Sequence, residues 1–241
     1  MIHTHQADII YRDDHLLVVN KPSGVPVIPE RMLTPVHSLK EQLEDFLDRP
    51  LFTVHRIDKG TSGLVCFALN ETAHQHLNQQ FQEHQVEKVY WTVVKGVVHP
   101  TAGTVDKPIG FLPARPGFMT IHPKGKHAVT HYQLRQQFRS CAWLEVRIET
   151  GRTHQIRIHM QSIGHPLLVD EKYGGGTEFF LSAIKRNYKA GDHEERPIIS
   201  RLTLHARSLS FTHPSSGERL SFTAELPKDF RVLLQVLEKN G

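Results

Sequence analysis

Short apolar runs separated by turn-forming residues make up most of this chain. Runs in which β-branched and aromatic residues predominate are typical of strands. We predict strands at 9–11, 16–19, 86–98, 128–138, 142–149 and 201–211, and a hairpin that returns at 220–226.

Apolar residues at intervals of three and four predict helices between these strands. Thr34 is the predicted cap of a first helix that runs to about residue 49, and Asn70 can cap a second helix. Thr153 is the predicted cap of a third helix, which Gly164 ends, and Pro227 opens a fourth. Because strands and helices follow one another without a regular βαβ order, the pattern favours an α+β fold.

Composition narrows the class of protein. The chain has 241 residues and 39% hydrophobic content, which is enough for a sizeable core. It has no apolar run long enough for a membrane span and no apolar core of a signal peptide, so we expect a cytoplasmic protein. Cys66 and Cys141 lie in apolar runs and are predicted to be buried free thiols, although a disulfide between them is compatible with the sequence.

Charge points to an anionic partner. The formal net charge is +4, which suits nucleic acid. The chain has 18 histidines, but close pairs such as His74 and His76 have no cysteine or acidic cluster at ligand spacing beside them. We therefore expect no metal.

One segment places a carboxylate where chemistry is plausible. Residues 55–63 read HRIDKGTSG, so Asp58 follows an apolar run and precedes a tight glycine turn. A strand that ends in an acid beside such a turn can hold that acid rigidly at a cleft. The alternative is an ordinary turn aspartate whose side chain bonds its own backbone.

Two further segments carry polar groups in unusual settings. Lys88 and Tyr90 point to one face of the long strand predicted at 86–98, for which the alternative is an ordinary half-exposed strand face. Residues 151–157 read GRTHQIR and put Arg152, His154 and Arg157 at the start of a helix. Helix N-termini attract anions, and positive side chains there oppose the helix dipole, which indicates function rather than stability.

Together these motifs resemble those of the RluA-type pseudouridine synthases. The matching segments are NKPSG at 20–24, HRID at 55–58, TSG at 61–63, KVY at 88–90, GRTHQIR at 151–157, GHPL at 164–167 and LHA at 204–206. The resemblance extends from about residue 9 to residue 230, and Ile57 stands where leucine is common. Many relatives carry an N-terminal RNA-binding module of the S4 type, and we expect no S4 domain here.

The resemblance implies an isomerase that converts uridine in RNA to pseudouridine without a cofactor or metal. It implies one catalytic domain over 1–241 with a mainly antiparallel central sheet, flanking helices and loops, and a central RNA-binding cleft. The glycine-rich and then charged segment at 174–195 is expected to be a variable surface loop.

The resemblance also implies residue roles. Asp58 is the catalytic carboxylate, Tyr90 supplies a ring that stacks on the extracted uracil, and Arg157 pairs with Asp58. Whether Asp58 attacks the sugar, adds to the base or removes a proton stays open. Arg56 matches the family residue that fills the gap left by the flipped uridine.

Four further residues are expected to contact phosphate or sugar, with a solvated surface charge as the alternative for each: Lys21, Lys88, Arg152 and His154. The expected partner is a stem-loop of ribosomal RNA or transfer RNA, bound by a monomer that needs no obligate protein partner.

Two other functions compete with this interpretation. A non-catalytic RNA-binding or RNA-folding module on the same scaffold would keep the basic surface, but it has no need of Asp58, Tyr90 and Arg157 together. A hydrolytic nucleosidase would release free uracil instead of rejoining it to the sugar.

Overall fold

The structure is a computed structural model that describes residues 7–29, 37–185, 188 and 194–240. The chain forms two compact units. Unit 1 comprises Met1–Val89 and His205–Glu225, and unit 2 comprises Tyr90–Leu204 and Leu226–Gly241. The single catalytic domain expected over 1–241 stays a prediction.

Strands and helices are mixed along the described part of the chain. In order, the elements are β1 (Asp8–Arg12), β2 (Leu16–Lys21), α1 (Leu39–Leu47), β3 (Phe52–Thr53), β4 (Ser62–Ala68), α2 (Glu71–Gln82), β5 (Glu87–Lys95), β6 (Ala102–Asp106), β7 (Ile109–Phe111), β8 (Met119–Ile121), β9 (Val129–Gln137), β10 (Cys141–Ile148), α3 (Gln155–Ser162), a 3-10 turn (Leu181–Ala183), β11 (Leu204–Thr212), β12 (Arg219–Thr223) and α4 (Lys228–Asn240). The predicted α+β class with mainly antiparallel strands is confirmed.

In unit 1, four strands lie side by side in the order β1-β2-β4-β11. β2 is antiparallel to β1 and to β4, whereas β11 runs parallel to β4. Every residue of β4 is buried, which explains why its sequence is a continuous apolar run without alternation. Its side chains Leu64 and Cys66 pack with Leu77 of α2 and Phe211 of β11 in one core.

In unit 2, the strand order is β5-β10-β9-β6, and β7 and β8 form a separate two-stranded sheet. β9 is antiparallel to both β10 and β6. Helix α4 buries Phe230, Leu233 and Leu237 in a core that also contains Val93 of β5. The amphipathic pattern predicted after Pro227 is therefore correct.

Two helix starts differ from prediction. α1 begins at Leu39, where Ser38 and Glu41 form a reciprocal capping box, whereas the predicted cap Thr34 lies outside the described residues. α3 begins at Gln155 after His154 in a left-handed conformation, so the prediction of Thr153 as its cap is wrong.

Other predictions have clear outcomes. Asn70 caps α2 through the backbone N–H of Ala73, as predicted. Part of the loop predicted at 174–195 belongs to the core of unit 2, because Phe179 and Ile184 are buried there. Cys66 and Cys141 are buried free thiols. No helix within the described ranges is long and apolar enough to cross a bilayer.

Candidate active site

The turn that carries Asp58 is held through its backbone by the segment that follows β2. The carbonyl oxygen of Lys59 accepts from the N–H of Gly24 at 2.8 Å, and that of Gly60 accepts from the hydroxyl of Ser23 at 2.6 Å. Asp58 itself is half-buried. The backbone of the NKPSG motif therefore supports the turn that follows the half-buried Asp58.

Lys21 completes this support from inside the protein. Its side chain is fully buried, and Nζ donates to the carbonyl oxygens of Pro22 at 2.8 Å, Val25 at 2.7 Å and Lys59 at 3.1 Å. Three carbonyl acceptors compensate much of the cost of burying the ammonium group. Lys21 therefore has a structural role in this support, and its predicted RNA contact stays a prediction.

The TSG turn after Asp58 is fixed by β11. The hydroxyl of Ser62 lies 2.9 Å from Nδ1 of His205, and Nε2 of His205 lies 3.1 Å from the carbonyl oxygen of Ala224. Because a carbonyl oxygen can only accept, Nε2 of His205 is the donor to Ala224, and Nδ1 of the neutral ring accepts from the hydroxyl of Ser62. Gly63 has φ +110°, and a Cβ there would lie 2.3 Å from the carbonyl oxygen of Ala206. The LHA motif thus serves packing and turn geometry.

A second set of contacts in unit 1 surrounds His55, the first residue of the HRID motif. His55 accepts from the N–H of Cys66 at 2.9 Å through Nε2, and its ring stacks on Phe81 with centroids 4.8 Å apart. Nζ of Lys88 lies 6.0 Å from the centroid of the Phe81 ring. Burial lowers the pKa of Lys88 to about 8. Burial of the ring and, second, the charge of Lys88 lower the pKa of His55 to about 3, although the residue keeps some exposure.

Burial decides which basic side chains of unit 1 can meet a ligand. Lys88 is 7% exposed, so its predicted phosphate contact has little surface to act through, whereas Arg56 is exposed. On β5, Lys88 and Tyr90 are both buried while Val89 and Trp91 are partly exposed, in agreement with the predicted strand alternation.

In unit 2, a buried glutamine anchors the start of α3. Nε2 of Gln155 donates to the carbonyl oxygen of Val129 at 2.9 Å and to the hydroxyl of Thr130 at 3.0 Å. Its Oε1 accepts from the hydroxyl of Thr150 at 2.7 Å and from the N–H of Arg152 at 3.0 Å. Sequence reasoning missed Gln155, although its place between two basic residues of the motif was a signal. These bonds fix the segment that carries Arg152 and His154.

The basic side chains at and before the start of α3 have different surroundings. Nε of Arg152 donates to the carbonyl oxygen of His127 at 2.9 Å at a solvent-exposed position. Arg157 is buried, and its Nε and Nη2 donate to the two carboxylate oxygens of Asp170 at 2.8 and 2.7 Å. Asp170 was not predicted, although it directly follows the apolar run Leu167–Val169. The expected pairing of Arg157 with Asp58 stays a prediction.

The predicted site residues fall into two groups. Those of unit 1 are Lys21, Arg56, Asp58 and Lys88, and those of unit 2 are Tyr90, Arg152, His154 and Arg157. Within the described ranges, His, Cys, Asp and Glu side chains do not cluster in threes as metal ligands would.

Known proteins resemble this chain over nearly its whole length. The family described as RNA pseudouridylate synthase matches residues 15–162. Ribosomal large subunit pseudouridine synthase D of Pseudomonas aeruginosa is 37% identical over 239 residues, which span 98% of this chain and 73% of that protein. The uncharacterized RNA pseudouridine synthase YlyB of Bacillus subtilis is 40% identical over an alignment of 242 residues. The alignment covers 97% of this chain and 74% of that protein.

A solved structure leads to the same family. Human RNA pseudouridylate synthase domain containing 4 superposes with a TM-score of 0.71 and 28% sequence identity, over 96% of this chain and 93% of that one. A family match to more than half of the chain and relatives above 30% identity establish membership. This chain belongs to the RNA pseudouridylate synthases of the RluA type, and it is an isomerase that converts uridine in RNA to pseudouridine.

Proposed function

We propose that this chain modifies uridines in the RNA of the large ribosomal subunit and that Asp58 acts directly on the nucleoside. The observation that carries the role of Asp58 is the support beneath its turn. Hydrogen bonds from Lys21, Ser23 and Gly24 hold the backbone that follows it, while Asp58 itself is only half-buried. Such rigidity is what a reacting carboxylate requires.

The target uridine must leave its stack before Asp58 can reach it. Flipping a nucleotide costs a few kcal/mol, and a group that fills the vacated space offsets part of that cost. Arg56 is exposed two residues before Asp58, and a planar guanidinium can take the place of a base. We assign Arg56 to this task.

Within the site, the extracted uracil needs a surface and the carboxylate needs a counter-charge. Stacking on the ring of Tyr90 would contribute about 1–3 kcal/mol. Arg157 as partner of Asp58 would favour the ionised carboxylate, by about 4 kcal/mol at 4 Å and an effective dielectric constant near 20, before desolvation is counted. The N-glycosidic bond then breaks, the base turns, and its C5 bonds to the sugar carbon. C5 loses its hydrogen as a proton, and N1, which has lost its bond to the sugar, gains a proton. Asp58 serves as nucleophile or base in this sequence.

Burial revises the assignment of RNA contacts. Arg152 and His154 remain proposed contacts to phosphate or sugar, because both keep exposed surface. Lys21 and Lys88 act from beneath the surface instead. If phosphate contacts dominate binding, affinity falls steeply as salt concentration rises.

The test of catalysis is Asp58→Asn, which keeps the size of the side chain and removes its charge. We expect no release of tritium from RNA labelled at C5 of uridine, with RNA affinity within about twofold of wild type. Asp14→Asn, at an exposed turn of unit 1, is the matched control and should turn over normally. Normal turnover by Asp58→Asn contradicts the proposed role, and free uracil among the products indicates a nucleosidase.

The RNA target has its own test. The names of relatives such as the Pseudomonas aeruginosa protein refer to the ribosomal large subunit. A pseudouridine-specific chemical probe, applied to ribosomal and transfer RNA from a deletion strain, should show lost sites in the large-subunit RNA. Loss confined to transfer RNA would move the proposal to that substrate. We place the enzyme in the cytoplasm, acting as a monomer.

A further inference from the structure

Asp170 is a partner of Arg157 in the structure, and it lies outside the motifs that carry the family resemblance. Its carboxylate is completely buried, and Arg157 is 8% exposed. Two parallel N–H···O bonds fix both the position and the plane of a guanidinium group. The direction in which Arg157 points is therefore set by where Asp170 is held.

Asp170 is itself held by the turn that follows it. Its Oδ1 accepts from the backbone N–H of Lys172 at 3.1 Å and of Tyr173 at 3.3 Å. Its own N–H donates to the carbonyl oxygen of Gly176 at 3.0 Å, and its carbonyl oxygen accepts from Gly175 at 2.9 Å. The carboxylate cannot rotate away from Arg157 without breaking bonds to this turn.

The segment before Asp170 is attached to β5, the strand that contains Tyr90. The N–H of Leu168 donates to the carbonyl oxygen of Val93 at 2.8 Å. Asp170 thus links α3, which carries Arg157, to the strand that carries Tyr90.

Tyr173 covers the face of the same guanidinium group. The carbon Cζ of Arg157 lies 4.9 Å from the centroid of the Tyr173 ring. The Tyr173 hydroxyl accepts from the N–H of Met119 at 3.1 Å and lies 2.7 Å from Nδ1 of His154. Because this oxygen accepts from Met119, its own proton is available to His154. Asp170 therefore binds the edge of the Arg157 guanidinium group, and the Tyr173 ring packs on the face of that group.

We propose that Asp170 and Tyr173 are positioning residues of the isomerase, acting on the reaction through Arg157. A cation that is already aimed needs no reorganisation when charge develops on the nucleoside. The inference rests on the proposed role of Arg157 in that reaction and names the groups that make the role possible.

The first test is Asp170→Asn, which keeps the size of the side chain and an oxygen for the amides of the turn. It removes the charge and one of the two acceptors that face Arg157. Misplacement of a reacting group by about 1 Å costs about 100-fold in rate, so we expect a fall in kcat of that order. KM and RNA affinity should change less than twofold. A wild-type kcat would overturn the proposal.

Combining Asp170→Asn with a substitution of Arg157 distinguishes a positioning role from a general loss of structure. In Arg157→Lys, which keeps a positive charge but not the bidentate geometry, Asp170→Asn should reduce the residual kcat by less than twofold, because there is no longer a guanidinium to aim. A full additional loss in this background would show that Asp170 acts independently of Arg157 and would overturn the proposal.

Asp229 offers a matched control in the same unit. Its carboxylate accepts from Nε and Nη2 of Arg201 at 2.6 and 2.9 Å, and Cζ of Arg201 lies 5.8 Å from the centroid of the Phe230 ring. Asp229→Asn breaks a pair with the same bidentate geometry, although the Asp229 side chain is 39% exposed and that of Asp170 is buried. It should lower thermal stability and leave kcat within twofold of wild type. An equal fall of kcat in both variants would assign the effect to stability and overturn the proposal.

A measurement without turnover keeps the inference separate from the proposed function. In the NMR spectrum, the Nε proton of Arg157 should exchange slowly with solvent in wild type and at least tenfold faster in Asp170→Asn. Equal exchange in the two proteins overturns positioning, whether or not pseudouridine is formed. A wild type with slow exchange that modifies no RNA overturns the proposed function and leaves the positioning of Arg157 intact.

Discussion

Nζ of Lys21 donates a hydrogen bond of 3.1 Å to the carbonyl oxygen of Lys59, the residue that follows Asp58. The bond joins a fully buried cation of β2 to the backbone of the reactive turn. A side chain that its charge would assign to the surface therefore supports the proposed catalytic residue from below.

The first prediction concerns this bond. Lys21→Met leaves three carbonyl oxygens without their shared donor, so we expect the free energy of unfolding to fall by about 2 kcal/mol. Turnover should fall by more than the loss of folded protein explains, because the turn that carries Asp58 loses the hydrogen bond from Lys21 to the carbonyl oxygen of Lys59. Urea unfolding and tritium release measure the two effects. Lys40→Met removes only a partly exposed i,i+4 pair with Glu44 and should cost less than about 0.5 kcal/mol. Equal stability losses in the two variants would contradict the structural role of Lys21.

The second prediction concerns pH. Because burial lowers the pKa of Lys88 from 10.5 to about 8, the unfolded chain holds a proton on Lys88 between these values that the folded chain has released. Stability should therefore rise with pH across this window, by up to about 3 kcal/mol, as the cost of burying the charged group is relieved. Below pH 8 that cost is fully present, and Lys88 adds no pH dependence. The free energy of unfolding of Lys88→Met should not show this rise with pH. Parallel stability curves for wild type and variant between pH 8 and 10 would contradict the buried ammonium group.

The third prediction concerns Gly63. A methyl group there meets the backbone of Ala206, which cannot move as a flexible side chain could, and φ is +110°. We expect Gly63→Ala to cost more than about 3 kcal/mol and to abolish turnover. The matched variant Gly217→Ala, at φ +75° with open space around its Cβ position, should cost only about 1–2 kcal/mol of backbone strain. Similar unfolding free energies for the two variants would exclude the clash.

The fourth prediction concerns Arg56. Because the side chain is exposed, Arg56→Ala should change the free energy of unfolding by less than about 0.5 kcal/mol. Turnover should nevertheless fall at least tenfold, since nothing fills the stack that the uridine leaves. The fluorescence of 2-aminopurine beside the target uridine reports flipping directly and should rise less in the variant. Exposed Arg12 supplies the control, and a similar loss in Arg12→Ala would indicate a general charge effect instead of a wedge.

Local signals in the sequence were sufficient for the main elements of the fold. The apolar run of β2 and the cap at Asn70 act within a few residues of the structure that they predict. The short strands β7 and β8 were not predicted, because three residues carry too little periodicity to separate a strand from a loop. The left-handed His154 was missed for a related reason: Thr153 is the better capping residue by type, and the bonds made by Gln155 decide where the helix begins.

The site was predictable where chemistry lies in consecutive residues. The Asp58 motif and the basic start of α3 are of this kind. The burial of Lys21 was not predictable, because the carbonyl oxygens that enclose Nζ become neighbours only in the folded chain. The same holds for Asp170, which meets Arg157 across 13 positions of sequence and through a turn that no short motif describes.

The close approach of Gly63 to Ala206 has an evolutionary consequence. The atoms that exclude a side chain at position 63 belong to the main chain of position 206, so they are present whichever amino acid stands there. Selection should therefore keep glycine at 63 while position 206 varies within the limits of its own pocket. The two positions would show no paired substitutions, and a contact that locks the reactive turn to β11 would remain invisible to any method that infers proximity from covariation.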